Sequence, residues 1–206
     1  MLFLDEKTKE TLTWVARFYD GRKVGDSGFL GFRRSSDLSR LVACLQILIE
    51  MGVLRPGSSH FLDMGCGDGR VNLLLSYLVK KSVGIELDEW TLDEYRPLRM
   101  DLESRLKEHG LPLPPDNVVL FQGDSTDESL HESIKREAGV RFEDFDLFYT
   151  YLTMYEEFSQ LIARKARKGS LFMVYGLKKV LPRLDGFRLL TDERPLNGII
   201  ALYEKI

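Results

Sequence analysis

Three acidic residues and three glycines carry the chemistry this sequence can do. In HFLDMGCGDGR, residues 60–70, Gly65, Gly67 and Gly69 fall within five positions, directly after a short apolar run and directly before VNLLLSYL. Asp63 and Asp68 flank the gap. Glycines at this density let a backbone turn tightly and approach a ligand, and a helix starting behind them offers unpaired N–H groups to a carboxylate or a phosphate. Glu86 closes SVGIE, 23 residues after Asp63, and Asp124 follows NVVLF in FQGDS. A carboxylate in the first of these places can accept two hydrogen bonds from ribose hydroxyls. Acids at three successive strand ends outline a nucleoside: one reaches an amino group or ordered water, one the ribose, one the adenine amine.

Such residues need a scaffold that brings strand ends together. Short runs rich in β-branched or aromatic residues occupy 60–64, 82–86, 117–121, 145–151 and 170–175, and helical patterns at 69–80, 89–109, 127–137 and 153–168 separate them. This alternation predicts an α/β, Rossmann-like fold, a mostly parallel sheet with helices on both faces. Ligands of such sheets bind outside the carboxyl ends of the strands. Pro97 predicts a kink or split near Arg96. FRLLT and GIIALYEKI are joined only by DERPLN, too short for a crossover helix, so they form an antiparallel hairpin.

Upstream, residues 5–20 predict an amphipathic helix with Leu12, Val15, Phe18 and Tyr19 on one face. A second helix starts at a Ser36 N-cap, shares Leu38, Leu41, Val42, Leu45 and Ile49 on a face, and ends with Gly52 at the C′ position. Glycines at 21, 25, 28 and 31 make residues 21–34 a loop. Residues 1–34 are therefore either a lid that folds over the strand ends, exposing Trp14 with the Leu12, Val15 and Phe18 face, or a helix packed permanently on the core.

Composition narrows the function classes. A chain of 206 residues with 44% hydrophobic content supports one core, hence a single domain over 1–206. A net charge of −3 argues against nucleic-acid partners. The basic run ARKARKG at 163–169 is what a solvated helix C-terminus carries. Cys44 and Cys66 form no CxxC pair and His60, His109 and His131 are scattered, which argues against a disulfide framework or a metal site. The start MLFLDEKTKE lacks a signal-peptide pattern and no apolar run reaches a membrane span, so a cytoplasmic protein is expected.

LDMGCGDGR, VGIELDE and LFQGDS resemble the first three motifs of class I S-adenosylmethionine-dependent methyltransferases, and the C-terminal hairpin is similar to that family's seven-stranded sheet. The resemblance covers roughly residues 36–206 and makes residues 35–206 the cofactor-binding core. It implies a transferase whose cofactor is S-adenosyl-L-methionine. Asp63 with Gly65, Gly67 and Gly69 would hold the methionine part, Glu86 the ribose hydroxyls, and Asp124 with Ser125 the adenine. A zwitterion suits acids around a glycine loop, whereas a pyrophosphate would be repelled by Asp63 and Asp68. A nicotinamide-dependent oxidoreductase fits less well, because GxGxxG needs a third glycine where Arg70 stands.

The acceptor stays open between a protein side chain and a small molecule. DLFYTYL lacks the Asn/Asp-Pro-Pro-Tyr/Phe motif of enzymes that modify base amino groups. YTYL resembles small protein-lysine methyltransferases of the superfamily, but GFRRSSD stands where those proteins carry a Pro-Thr-containing segment. Tyr149, Tyr151 and Tyr155 shape a substrate pocket or serve as core, and no catalytic residue is assigned. A non-catalytic module that keeps the cofactor site is the alternative to an enzyme. For Glu86, no structural partner is expected.

Overall fold

Asp5 opens the first helix. Its carboxylate accepts the Thr8 backbone N–H at 2.9 Å and the Thr8 hydroxyl at 2.7 Å, and α1 runs Glu6–Asp20. The computed structural model describes residues 4–22, 35–177, 181–191 and 196–206. Residues 23–34, most of the loop proposed as a lid, lie outside the described residues. Next, α2 spans Leu38–Glu50, and its cap is Asp37 rather than Ser36. Asp37 accepts the Arg40 N–H at 3.0 Å, while Asp20 at the end of α1 accepts those of Leu38 (2.7 Å) and Ser39 (2.9 Å). The Ser36 hydroxyl is engaged elsewhere, with Tyr149. Gly52, at φ +71°, takes the expected left-handed position just past the Met51 C-cap.

The chain then alternates as expected: β1 (His60–Met64), α3 (Arg70–Ser76), β2 (Lys81–Glu86), α4 (Glu89–Asp93), α5 (Tyr95–Glu108), β3 (Val118–Gln122), α6 (Glu128–Ala138), β4 (Leu147–Tyr151), α7 (Tyr155–Lys165) and β5 (Leu171–Tyr175). The helix expected over 89–109 breaks at Glu94, three residues before Pro97. In the first turn of α5 the missing proline N–H costs no intrahelical bond. The C-terminal hairpin is β6 (Phe187–Leu189) and β7 (Ile200–Lys205). These strands form one seven-stranded sheet in the order β3-β2-β1-β4-β5-β7-β6. Only β7 runs antiparallel, against both β5 and β6.

Period-two alternation sends neighbouring side chains to opposite helix layers. Phe61, Leu147, Tyr149, Met173 and Tyr175 pack with residues of α1, α2, α3 and α5. Leu62, Met64, Phe148 and Phe172 pack with those of α6 and α7. The α1 face is buried in the first of these cores: Leu12, Val15 and Tyr19 are inaccessible, and the Trp14 ring meets the His109 ring at a tilt, 4.6 Å between centres. Of the two readings of residues 1–34, the described residues show the helix face packed against α2. Among the described residues no helix is long and apolar enough to cross a membrane.

Candidate functional site

Strand order reverses between β1 and β4, which opens a crevice at their carboxyl ends. A cavity of about 810 Å³ fills it, walled by the ends of β1, β2, β3 and β4 and by Ser35 and Ser36. The glycine loop forms its floor. Gly65 and Cys66 both donate their N–H to the Ile85 carbonyl, at 2.9 and 2.8 Å. Gly65, Gly67 and Gly69 all adopt positive φ, +111°, +58° and +72°.

The reasons for two of these glycines differ. A methyl group on Gly65 would meet nothing within 4 Å, so the missing side chain leaves space. On Gly69 it would come within 2.7 Å of the Tyr95 ring and 2.8 Å of Leu120. Gly69 is required by packing and does not line the cavity.

Asp63 is 1% exposed and lies in register with Gly84 on one side and Tyr149 on the other. Its Oδ1 has no hydrogen-bond partner. Burial, with Glu86 and Asp68 nearby, holds its carboxyl well above the usual carboxylate range. A buried polar atom without a partner is costly and calls for a reason. Cys66, also buried in the loop, has its thiol pushed up by the same surroundings, which removes the thiolate a nucleophile needs.

Asp68 turns the other way, into a buried pair with Arg70. Nε donates to Oδ1 and Nη2 to Oδ2, each at 2.9 Å. Arg70 Nη1 also donates to the Tyr19 carbonyl (3.4 Å) and to Ser35 Oγ (3.1 Å), and its guanidinium lies 5.4 Å from the Tyr19 ring centre. One side chain thus joins the glycine loop to the last turn of α1 and to Ser35 ahead of α2. The Arg70 backbone N–H donates to Asp68 Oδ1 at 3.3 Å, so the first helical donor is engaged within the loop.

Glu86 has the structural partners that the sequence did not suggest. Oε2 accepts the Gly67 N–H at 2.8 Å and Oε1 the Asp88 N–H at 3.1 Å, so this carboxylate shapes the loop it faces. Asp124 is exposed on the cavity wall, and its Oδ1 accepts the Thr126 N–H and hydroxyl, each at 2.8 Å. Ser125 is buried beside it, and its carbonyl accepts His131 Nε2–H at 2.9 Å. Burial depresses the His131 pKa and keeps the ring neutral.

On the β4 side the wall is hydroxylic and apolar. Tyr149 shares a hydrogen bond with Ser36, and Tyr175 accepts the Asp37 N–H at 3.0 Å. Burial and the neighbouring Asp63 raise the Tyr149 pKa, so its hydroxyl stays protonated. Tyr151 lines the cavity, whereas Tyr155 does not and donates to Glu156 at 3.0 Å. Met154, exposed at the rim, takes φ +54°, a strained value for a non-glycine residue.

The cavity therefore gathers Asp63, Gly65, Gly67, Glu86, Asp124, Ser125, Tyr149 and Tyr151. Arg70, Ser35 and Ser36, which also line it, escape a sequence reading as site residues, as does Tyr175, which holds Asp37 without lining the cavity. Only Arg70 left a signal there, a charge of opposite sign two residues from Asp68.

No family model and no curated protein sequence matches this chain. Solved structures do match. The proposed methyltransferase yhhF from Escherichia coli aligns over 84% of this chain and 88% of its own, with a TM-score of 0.50 at 14% identity. A variant of MtNAS in complex with S-adenosylmethionine aligns over 97% of this chain and 72% of its own, with a TM-score of 0.51 at 17% identity. The fold is that of the class I methyltransferases.

Proposed function

We propose that the cavity binds S-adenosyl-L-methionine and that the protein is a methyltransferase whose acceptor enters beside β4. The carrying observation is Asp63 Oδ1, buried without a partner beside a glycine whose missing side chain opens onto the cavity. An ammonium group supplies the donor and the positive charge that this atom lacks, and a pyrophosphate supplies neither. Glu86 then faces the ribose hydroxyls, and Asp124 with Ser125 the adenine. The S-adenosylmethionine complex of MtNAS supports the choice of cofactor.

When bound, the cofactor supplies an electrophilic methyl carbon. The protein's part is to hold the acceptor at attack distance and to exclude water. Among the described residues, the β4 side of the cavity offers no carboxylate, lysine or histidine, and Tyr149 keeps its proton, so no general base is assigned. In this reading residues 1–206 are one cytoplasmic methyltransferase domain, with α1 fixed on the core and residues 35–206 holding the cofactor.

Thermal unfolding tests the proposal. S-adenosylhomocysteine at about 100 times its Kd should add about 2.7 kcal/mol of stability, and NADH should add none. The reverse pattern overturns it. Transfer of labelled methyl groups to a cell lysate separates an enzyme from a non-catalytic module, which would bind without transferring.

A further inference from the structure

Charge is distributed unevenly between the two edges of the sheet. Residues 86–95, 123–128 and 151–157, at the carboxyl ends of β2, β3 and β4, contain ten carboxylates and no lysine, arginine or histidine. Glu89, Asp93, Asp124, Asp127, Glu156 and Glu157 among them are exposed. Two others have cationic partners from elsewhere, Glu94 with Arg22 and Glu128 with Lys165. At the amino edge the signs are mixed and paired, Arg141 with Asp144 and Arg167 with Asp146. Lys178 and Lys179, which follow β5, lie outside the described residues.

The same acidic segments expose apolar side chains. Leu87 is 68% and Trp90 83% exposed, and Leu152 and Met154 join them. Leu87, Leu152 and Met154 line the cavity mouth, while Trp90 stands outside it on α4. In the strand order β3-β2-β1-β4 three inter-strand spacings, about 15 Å, separate the outermost segments. A tryptophan is seldom left this exposed, and it is a preferred anchor of interfaces.

We infer that the methyl acceptor is presented by a basic polypeptide segment carrying apolar side chains, which docks across this rim. The inference rests on the methyltransferase reading. Lysine and arginine side chains match the carboxylates, and they speed encounter by electrostatic steering. Apolar side chains of the same segment cover Trp90 and Leu87. The sign of these segments opposes a nucleic acid, whose phosphates need a basic surface; Lys23, Arg33 and Arg34, ahead of Ser35, lie outside the described residues. A small molecule confined to the cavity leaves Trp90 without a role.

Fluorescence anisotropy on the full-length protein decides the matter. The probes are a labelled peptide of alternating lysine and leucine and a labelled single-stranded RNA of equal length. The peptide should bind, with affinity falling as salt rises, and the RNA should not. The triple variant Glu89→Lys/Asp93→Lys/Glu157→Lys should lose at least tenfold in peptide affinity, about 1.4 kcal/mol, and Trp90→Ala a severalfold smaller factor. Tighter binding of the RNA, no peptide binding at low salt, or an affinity unmoved in both variants overturns the inference. The S-adenosylhomocysteine shift, measured in parallel, keeps the two readings apart. Its absence from the unmodified protein defeats the cofactor assignment whatever the peptide does, and its persistence in the variants assigns their defect to docking.

Discussion

Where β1, β2 and β3 end, the cavity wall is backbone fastened to nearby chain. Asp68 and Arg70 are two residues apart, and Gly67 and Glu86 nineteen. Where β4 ends, the wall depends on tyrosine hydroxyls from β4 and β5 that reach Ser36 across 113 residues and Asp37, beside the wall, across 138. The first wall is set by the loop's own geometry. The second exists only when Ser36 and Asp37, just ahead of α2, are in place. In the proposed reading, the cofactor side can therefore be largely pre-formed while the acceptor side stays tied to Ser36 and Asp37. Arg70 belongs to both, since its guanidinium holds Asp68 together with the Tyr19 carbonyl and Ser35.

Arg70 is accordingly where the comparison breaks most severely. Arg70→Met leaves the Asp68 carboxylate buried without its cation and should cost about 3 to 5 kcal/mol of stability in urea unfolding. Adding Asp68→Asn removes the stranded charge and should restore much of that loss. If the double variant is as unstable as the single one, the contacts to Tyr19 and Ser35 outweigh the pair.

The glycine loop gives the next largest effect. Gly69→Ala combines a left-handed backbone with a clash against Tyr95 and Leu120 and should lose about 2 to 4 kcal/mol. Gly65→Ala meets open space and should lose only the backbone part, on the order of 1 to 2 kcal/mol, while S-adenosylhomocysteine binding weakens far more than in Gly69→Ala. Equal stability losses, measured by denaturant titration, would deny the difference in role.

The two walls also differ in how far the sequence disclosed them. Strand and helix positions, the hairpin and the break near Pro97 follow from local periodicity and turn chemistry, which act over a few residues. So do Asp63, Glu86 and Asp124, because each lies within two residues of the end of a strand that its own residues define. The tyrosine pins are invisible at that range. Ser36 looks like a helix cap, and only the fold shows that Tyr149, on the strand face that meets α2, takes its hydroxyl. Asp37 and Asp20 supply the caps instead, and nothing local distinguishes Asp37 from Ser36. Glu86 went half-read for the same reason: its place at a strand end is local, but its bond to Gly67 requires the loop to fold back.

Asp63 tests the first wall through pH. Its folded pKa lies above the ordinary value of 3.8, so between the two the folded state binds more protons than the unfolded one. Stability of the free protein should fall as pH rises through that window. Asp63→Asn should flatten the slope and leave the free protein more stable than the unmodified one above it. The same change should shrink the S-adenosylhomocysteine shift, because an amide cannot neutralise an ammonium group. A melting temperature lowered at neutral pH without ligand would mean that the Asp63 charge is already compensated.

The smallest expected effect lies on the second wall. Tyr149→Phe removes the bond to Ser36 and leaves that hydroxyl buried, which should cost about 1 kcal/mol. Tyr155→Phe removes only a contact to exposed Glu156 and should change stability by less than about 0.5 kcal/mol. The informative quantity is where the Tyr149→Phe loss appears. Ser36 stands on the cavity wall just ahead of α2, so freeing it should loosen the acceptor side and leave the glycine loop intact. Hydrogen exchange should then rise at Ser36 and Asp37 and stay unchanged at Gly65 and Cys66, whose N–H groups are held by Ile85. S-adenosylhomocysteine affinity should be retained. Faster exchange at both places, with weaker ligand binding, would show that the two walls yield as one unit and that the separation between them is not mechanical.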